Sequence, residues 1–144
     1  MMKMERILVP VDFSEHSLAA LMYAIELAHE YECEVLLVHV VEPLPRGTMR
    51  WSDDTSLLEQ HREKACDELK RFEQEATRLY PKCRSELYFG ITHDVIEEVV
   101  SRLEVDLVVI SIHEKTPLVD LLTGGTAHHL LRHARCPVLR LLAD

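Results

Sequence analysis

Val105 to Asp144 reads VDLVVISIHEKTPLVDLLTGGTAHHLLRHARCPVLRLLAD. Leu107 to Ile112 is an apolar run of strand length, Gly124-Gly125-Thr126 opens a short helix, and a second apolar run begins at Val138. The order is therefore strand, phosphate-type turn, helix, strand. In an open parallel sheet a ligand settles beyond the carboxyl ends of the strands, where chain order reverses, and a helix N-terminus there offers free N–H groups to an anion. The segment from Ile112 to Thr126 takes that position.

Working outward, the same alternation repeats upstream. Arg6-Ile-Leu-Val-Pro-Val-Asp12 is an almost continuously apolar strand, the pattern of one covered on both faces. Ser14 is placed to cap the helix that follows, in which Leu18, Leu21, Met22, Ile25 and Ala28 recur at steps of three and four and predict the buried stripe. Glu34 to Val41 is a second buried strand, and two strands around one helix make a right-handed parallel unit. The Pro- and Gly-bearing segment from Glu42 to Asp54 reads as a mobile loop. Ser56 and Glu59 have capping-box spacing ahead of a helix over 55–79, whose stripe is Ala65, Leu69, Phe72, Ala76 and Leu79.

Pro81 stops that helix, and Arg84 to Phe89 alternates enough for a less covered strand. Gly90 suits a sharp turn, and Thr92 is the expected cap of a third helix carrying Val95, Ile96, Val99, Val100 and Leu103. The sum is five strands alternating with four helices in one domain over residues 1–144.

Bulk properties narrow the function classes. Lysine and arginine total 16 against 25 acidic residues, a formal charge of −9, which disfavours a general nucleic-acid or anionic-membrane surface. Any phosphate must be held locally. Cys33, Cys66, Cys83 and Cys136 form no C-x-x-C pair and read as reduced thiols of a cytoplasmic protein. No apolar stretch approaches the roughly 20 residues of a membrane span. There is no G-x-S-x-G elbow to make Ser14 or Ser111 a nucleophile. Neither H-I-G-H-like nor S-G-G-x-D-S-like motifs of nucleotidyl transferases stand near the first strand.

Several motifs together carry a resemblance: Ile7-Leu-Val-Pro-Val-Asp12-x-Ser14, Leu37-Val-His-Val-Val41, Gly90 ahead of the third helix, Asp106-Leu-Val-Val-Ile110, and Gly125-Thr126 leading to Arg132-His-Ala-x-Cys-Pro-Val138. On these residues, which span essentially the whole chain, the sequence resembles the universal stress protein family. The resemblance implies an α/β fold of the adenine nucleotide alpha hydrolase type, with an open five-stranded parallel sheet of order 3-2-1-4-5 and helices on both faces. It also implies a role in stress survival, homodimers paired through the last strand, and ATP or AMP binding in some members.

Those binders carry G-x2-G-x9-G-[ST] after the fourth strand. Anchored on Gly125-Thr126, that motif puts Ile112 and Lys115 where its first two glycines stand, and Glu114 where a basic residue is frequent. A Cβ at either glycine position crowds the approach of backbone to phosphate, and Glu114 repels it. Each charge-assisted hydrogen bond lost is worth roughly 1.5–3 kcal/mol, or about one to two powers of ten in affinity. The expectation is an incomplete nucleotide loop with weak or absent ATP binding in a protein that acts by binding and not by chemistry. The alternative is an ATP- or AMP-binding stress protein with slow hydrolysis.

By the resemblance, Pro10, Val11, Asp12 and Val40 match the positions that surround adenine and ribose, and Gly125 and Thr126 remain to hold one phosphate. Each has a plainer reading beside it. Asp12 favours a helix start by charge alone, Gly125-Thr126 is also a turn and cap, and Lys115 lacks the surroundings of a P-loop lysine. His129 and His133 share a helical face near His113, a geometry open to a metal but also to chance. His39, inside an apolar run, reads as a hydrogen-bonded core residue. The strand from Val138 needs its open edge covered: a two-fold copy would do so, while Arg140 would guard the edge of a monomer.

Overall fold

The computed structural model describes residues 3–42, 55–113 and 133–143, with the backbone alone at 55–58, 112–113 and 142–143. Its elements run β1 (Arg6–Pro10), α1 (Glu15–Tyr31), β2 (Glu34–Val41), α2 (Thr55–Leu79), β3 (Cys83–Phe89), α3 (Thr92–Arg102), β4 (Leu107–His113) and β5 (Val138–Ala143). All strand pairs are parallel, and the sheet order is β3-β2-β1-β4-β5, as the resemblance implies. The fourth expected helix and the 43–54 part of the expected mobile loop lie outside the described residues.

The continuous apolar runs are explained by burial on both faces. Alternate residues of a strand point to opposite sides. Ile7, Val9, Val35 and Leu37 pack with α1 and α2, while Leu8, Leu36, Val38 and Val108 pack with Ile96, Val99 and Val100 of α3. Ile7, Leu8 and Val9 are all 0 % exposed, so each contributes about 1.5–3 kcal/mol of burial to the centre of the sheet.

Several expectations need correction. In α1 the core face is Ser17, Ala20, Leu21, Ala24, Ile25 and Ala28, and Leu18 and Met22 are 47 % and 42 % exposed. The small residues let the helix sit close on the sheet, which rotates the larger ones outward. In α2, Ala65, Leu69 and Ala76 are buried as expected, but Leu79 is exposed and Tyr80 takes the buried place after it. α2 begins at Thr55, so Ser56 is inside its first turn and not ahead of it. β1 stops at Pro10, short of Asp12, and β3 begins one residue early at Cys83.

The expected Thr92 cap is replaced by a distant one. The N-cap position of α3 is Ile91, which has no capping side chain, and Glu42 Oε1 accepts instead from Thr92 N–H (2.9 Å) and from the Thr92 hydroxyl (2.7 Å). Gly90 precedes it at φ 144°, a conformation strained for any residue with a Cβ, which here would also stand 3.1 Å from Val95.

At the amino end of the strands the polar groups close on one another. Glu34 pairs with Arg84 and lies 3.7 Å from Arg6, whose guanidinium donates to the Leu103 carbonyl at 2.7 Å. Asp106 Oδ2 accepts from the N–H groups of Glu5 (2.7 Å) and Arg6 (3.0 Å). The Tyr80 hydroxyl donates to the Cys33 carbonyl, with Ala28 O at 3.3 Å, and thereby ties the end of α2 to the end of α1.

Candidate functional site

A gap opens at the carboxyl end of β1 because of Pro10. Val11 N–H donates to Val38 O at 2.8 Å, so the polar groups of odd-numbered residues in β1 face β2 and those of even-numbered residues face β4. Pro10 falls on the β4 side, where it has no N–H to donate. Accordingly β1 pairs with β2 from Arg6 to Pro10, but with β4 only at Ile7 and Leu8. β1 and β4 are also where the order of the chain reverses, the switch point at which such sheets take ligands.

Asp12 follows two residues after Pro10, at this end of β1. Its Oδ1 accepts from the hydroxyls of Ser14 and Ser17, both at 2.5 Å, and from Ser14 N–H at 3.0 Å. The Ser17 hydroxyl in turn accepts from Asp12 N–H at 2.8 Å, and Ser14 caps α1 by accepting from Ser17 N–H, as the sequence predicts. Burial of the inward oxygen pushes the Asp12 carboxyl up, but the bonds from Ser14 and Ser17 outweigh it and hold the group below its ordinary value. Asp12 as a residue remains exposed. It is therefore a carboxylate fixed through Oδ1 on an exposed residue, able to accept from a further donor.

The remaining expected residues fall as follows. Val11 is spoken for by the protein: its side chain is in the core, its N–H bonds Val38, and its carbonyl accepts from the His39 ring at 2.6 Å. His39 is thus hydrogen-bonded, as expected. Val40 points its side chain into the α3-side core. Because Val38 O faces β1, strand alternation turns the N–H and carbonyl of Val40 to the same side, beyond the last residue of β1. Pro10 and Ile112 lie at the carboxyl ends of neighbouring strands. Lys115, Gly125, Thr126 and His129 lie outside the described residues. No cluster of His, Cys, Asp or Glu suited to a metal occurs among the described residues.

Two features escaped the reading of the sequence. Ser111 Oγ, near the end of β4, is buried with no hydrogen-bond partner among the described residues; a serine in an apolar strand end beside the switch point was the available signal. Phe13 takes a left-handed φ of 67°, which nothing in the sequence marks. Burial, with the Glu73 charge, pushes the Cys83 thiol up to about 11, and burial also raises Cys33 and Cys136, which disfavours the thiolate form of all three.

A parallel sheet with helices on both faces and a reversal of chain order between β1 and β4 defines a doubly wound α/β protein. The chain belongs to the universal stress protein family, whose model matches residues 3–141. A universal stress protein of Methanocaldococcus jannaschii, MJ0531, is 30% identical over 139 residues, covering 94% of this chain and 80% of that one. Two solved structures share the fold. One is a universal stress protein in complex with cAMP (TM-score 0.78, 15% identity, 99% of this chain and 100% of that one). The other is a family protein of Arabidopsis thaliana with AMP bound (TM-score 0.68, 18% identity, 97% and 92%).

Proposed function

We propose that this chain is a cytoplasmic, non-catalytic stress-response module that takes an adenine nucleoside or its monophosphate weakly in the crevice over β1 and β4, and that acts on partner proteins as a homodimer. The observation that carries it is Asp12, an exposed residue held as an anion by three donors. A carboxylate that only accepts suits the hydroxyls of a ribose, and the paired N–H and carbonyl of Val40 suit the donor and acceptor on an adenine edge. The phosphate end is the deficient one, since Ile112 and Lys115 replace the two glycines and Glu114 adds a negative charge. The cAMP and AMP complexes of relatives support the ligand class.

Isothermal titration of adenosine, AMP and ATP into nucleotide-stripped protein tests this. Adenosine and AMP should bind within about tenfold of one another, and ATP no more tightly, because the loop lacks the phosphate contacts that its two missing glycines would allow, each worth about 1.5–3 kcal/mol. ATP binding more than about a hundredfold tighter than adenosine would overturn the proposal in favour of a rebuilt phosphate loop using Lys115 or a histidine.

The dimer is supported by the place of β5 at the end of the sheet. Val108 N–H donates to Pro137 O, so the polar groups of Arg140 point away from β4 towards the open edge. Arg140→Pro removes one outward N–H without touching the β4 ladder. Sedimentation should show this variant shifted to monomer; an unshifted, dimeric variant would place the dimer contact elsewhere.

A further inference from the structure

We infer that His39 is the positioning residue of the crevice, a strut on β2 that holds the β1–α1 turn on both sides of Asp12. This rests on the reading of the crevice given above. A carbonyl oxygen only accepts, so the 2.6 Å bond to Val11 O fixes the proton on His39 Nδ1. With Val11 N–H bonded to Val38 O, both polar groups of Val11 are tied to β2. Two residues on, Phe13 adopts the left-handed φ of 67°, a conformation that is strained for a bulky side chain and persists only where its surroundings hold it. Its ring lies 4.5 Å from the His39 ring and 6.0 Å, edge-on, from Phe72.

His39 therefore grips residue 11 by a hydrogen bond and residue 13 by ring contact, with Asp12 between them. Any nearby carbonyl would satisfy a half-buried histidine. The pairing of its two contacts, one on each side of the ligand-facing carboxylate, is what separates a strut from a core residue.

Three variants dissect the grip. His39→Asn keeps an N–H donor close to the Nδ1 position and loses the ring, His39→Phe keeps the ring and loses the donor, and His39→Leu loses both. Amide hydrogen exchange of the ligand-free protein and adenosine titration are the readouts. His39→Leu should speed exchange at Asp12, Phe13 and Ser14 by about tenfold or more, leave β3 unchanged, and weaken adenosine by about tenfold, with the other two variants in between. On an Asp12→Asn background, His39→Leu should cost no further affinity, because it acts through Asp12. Exchange and affinity within twofold of the parent, or faster exchange spread evenly over the sheet, would overturn the strut. If His39→Leu does not fold, the Asn and Phe variants decide by the same measures. Should the parent protein bind neither adenosine nor AMP, the reading of the crevice falls, and exchange at residues 12–14 alone decides for or against His39.

Discussion

At the amino end of the strands, Glu34 lies between Arg6 and Arg84, and Asp106 accepts from two backbone N–H groups. At the carboxyl end, Asp12 is held by two hydroxyls and one N–H, and it makes no ion pair among the described residues. Both ends carry fixed carboxylates, but their surroundings differ in kind. Guanidinium and backbone partners consume the charge at the first end, so that end is a clamp between strand starts. Hydroxyl donors at the second end orient the carboxylate without neutralising it, which leaves a negative group available to something outside the chain. The comparison separates a polar cluster whose charge the fold consumes from one whose charge it leaves uncompensated.

Substitutions at the two ends should separate these roles. The largest effect is expected from Asp106→Ala, which leaves two backbone N–H groups without their acceptor. It should cost about 2 kcal/mol in denaturant unfolding, with adenosine affinity unchanged. Asp12→Asn should do the reverse, lowering adenosine affinity about tenfold in titration while stability moves by less than about 1 kcal/mol. Equal losses of stability and affinity in either variant would erase the distinction between the ends.

Smaller effects sharpen it. Glu34→Gln weakens pairs that are partly exposed and screened, so its cost should stay under about 1 kcal/mol and fade in high salt. The smallest expected effect is the pH dependence carried by Asp12. Its carboxyl is held below the ordinary value in the folded chain, so its contribution is present in full above the unfolded carboxyl pKa, near 4, and is lost as pH falls through the lower folded value. The stability difference between the parent and Asp12→Asn, followed by denaturant titration from pH 6 downward, should hold constant and then shrink below about pH 4. A difference that grows on acidification would contradict the sign of that shift.

Much of this arrangement was legible in the sequence because it is local. Apolar runs flanked by Ser14, Pro81 and Gly90 set element bounds to within a residue or two, and the motif resemblance supplied the strand order. The errors arose where packing or a distant partner decides. Leu18 and Met22 look like core by size, yet Ala20 and Ala24 occupy the contact face because a helix approaches a sheet most closely through small side chains. Thr92 looks like a cap, but the carboxylate that serves α3 comes from Glu42, 50 residues away in the chain. The candidate site was half legible: Asp12 was singled out by its place near a strand end, whereas the early parting of β1 from β4 follows from which side of β1 Pro10 faces, and that is set only once the register is known.

The Tyr80 hydroxyl, bonded to the Cys33 carbonyl and close to that of Ala28, bears on the order in which the chain can be completed during synthesis. The Ala28 carbonyl already accepts from the N–H groups of Glu32 and Cys33, but the Cys33 carbonyl, within the strand-helix-strand unit that ends at Val41, finds its donor in a side chain translated 39 residues after that end. During synthesis that unit precedes Tyr80, so it carries one open carbonyl until the tyrosine arrives. Growth of the nascent chain through α2 becomes a condition for closing the junction between α1 and β2, and a pause before Tyr80 leaves the Cys33 carbonyl facing water.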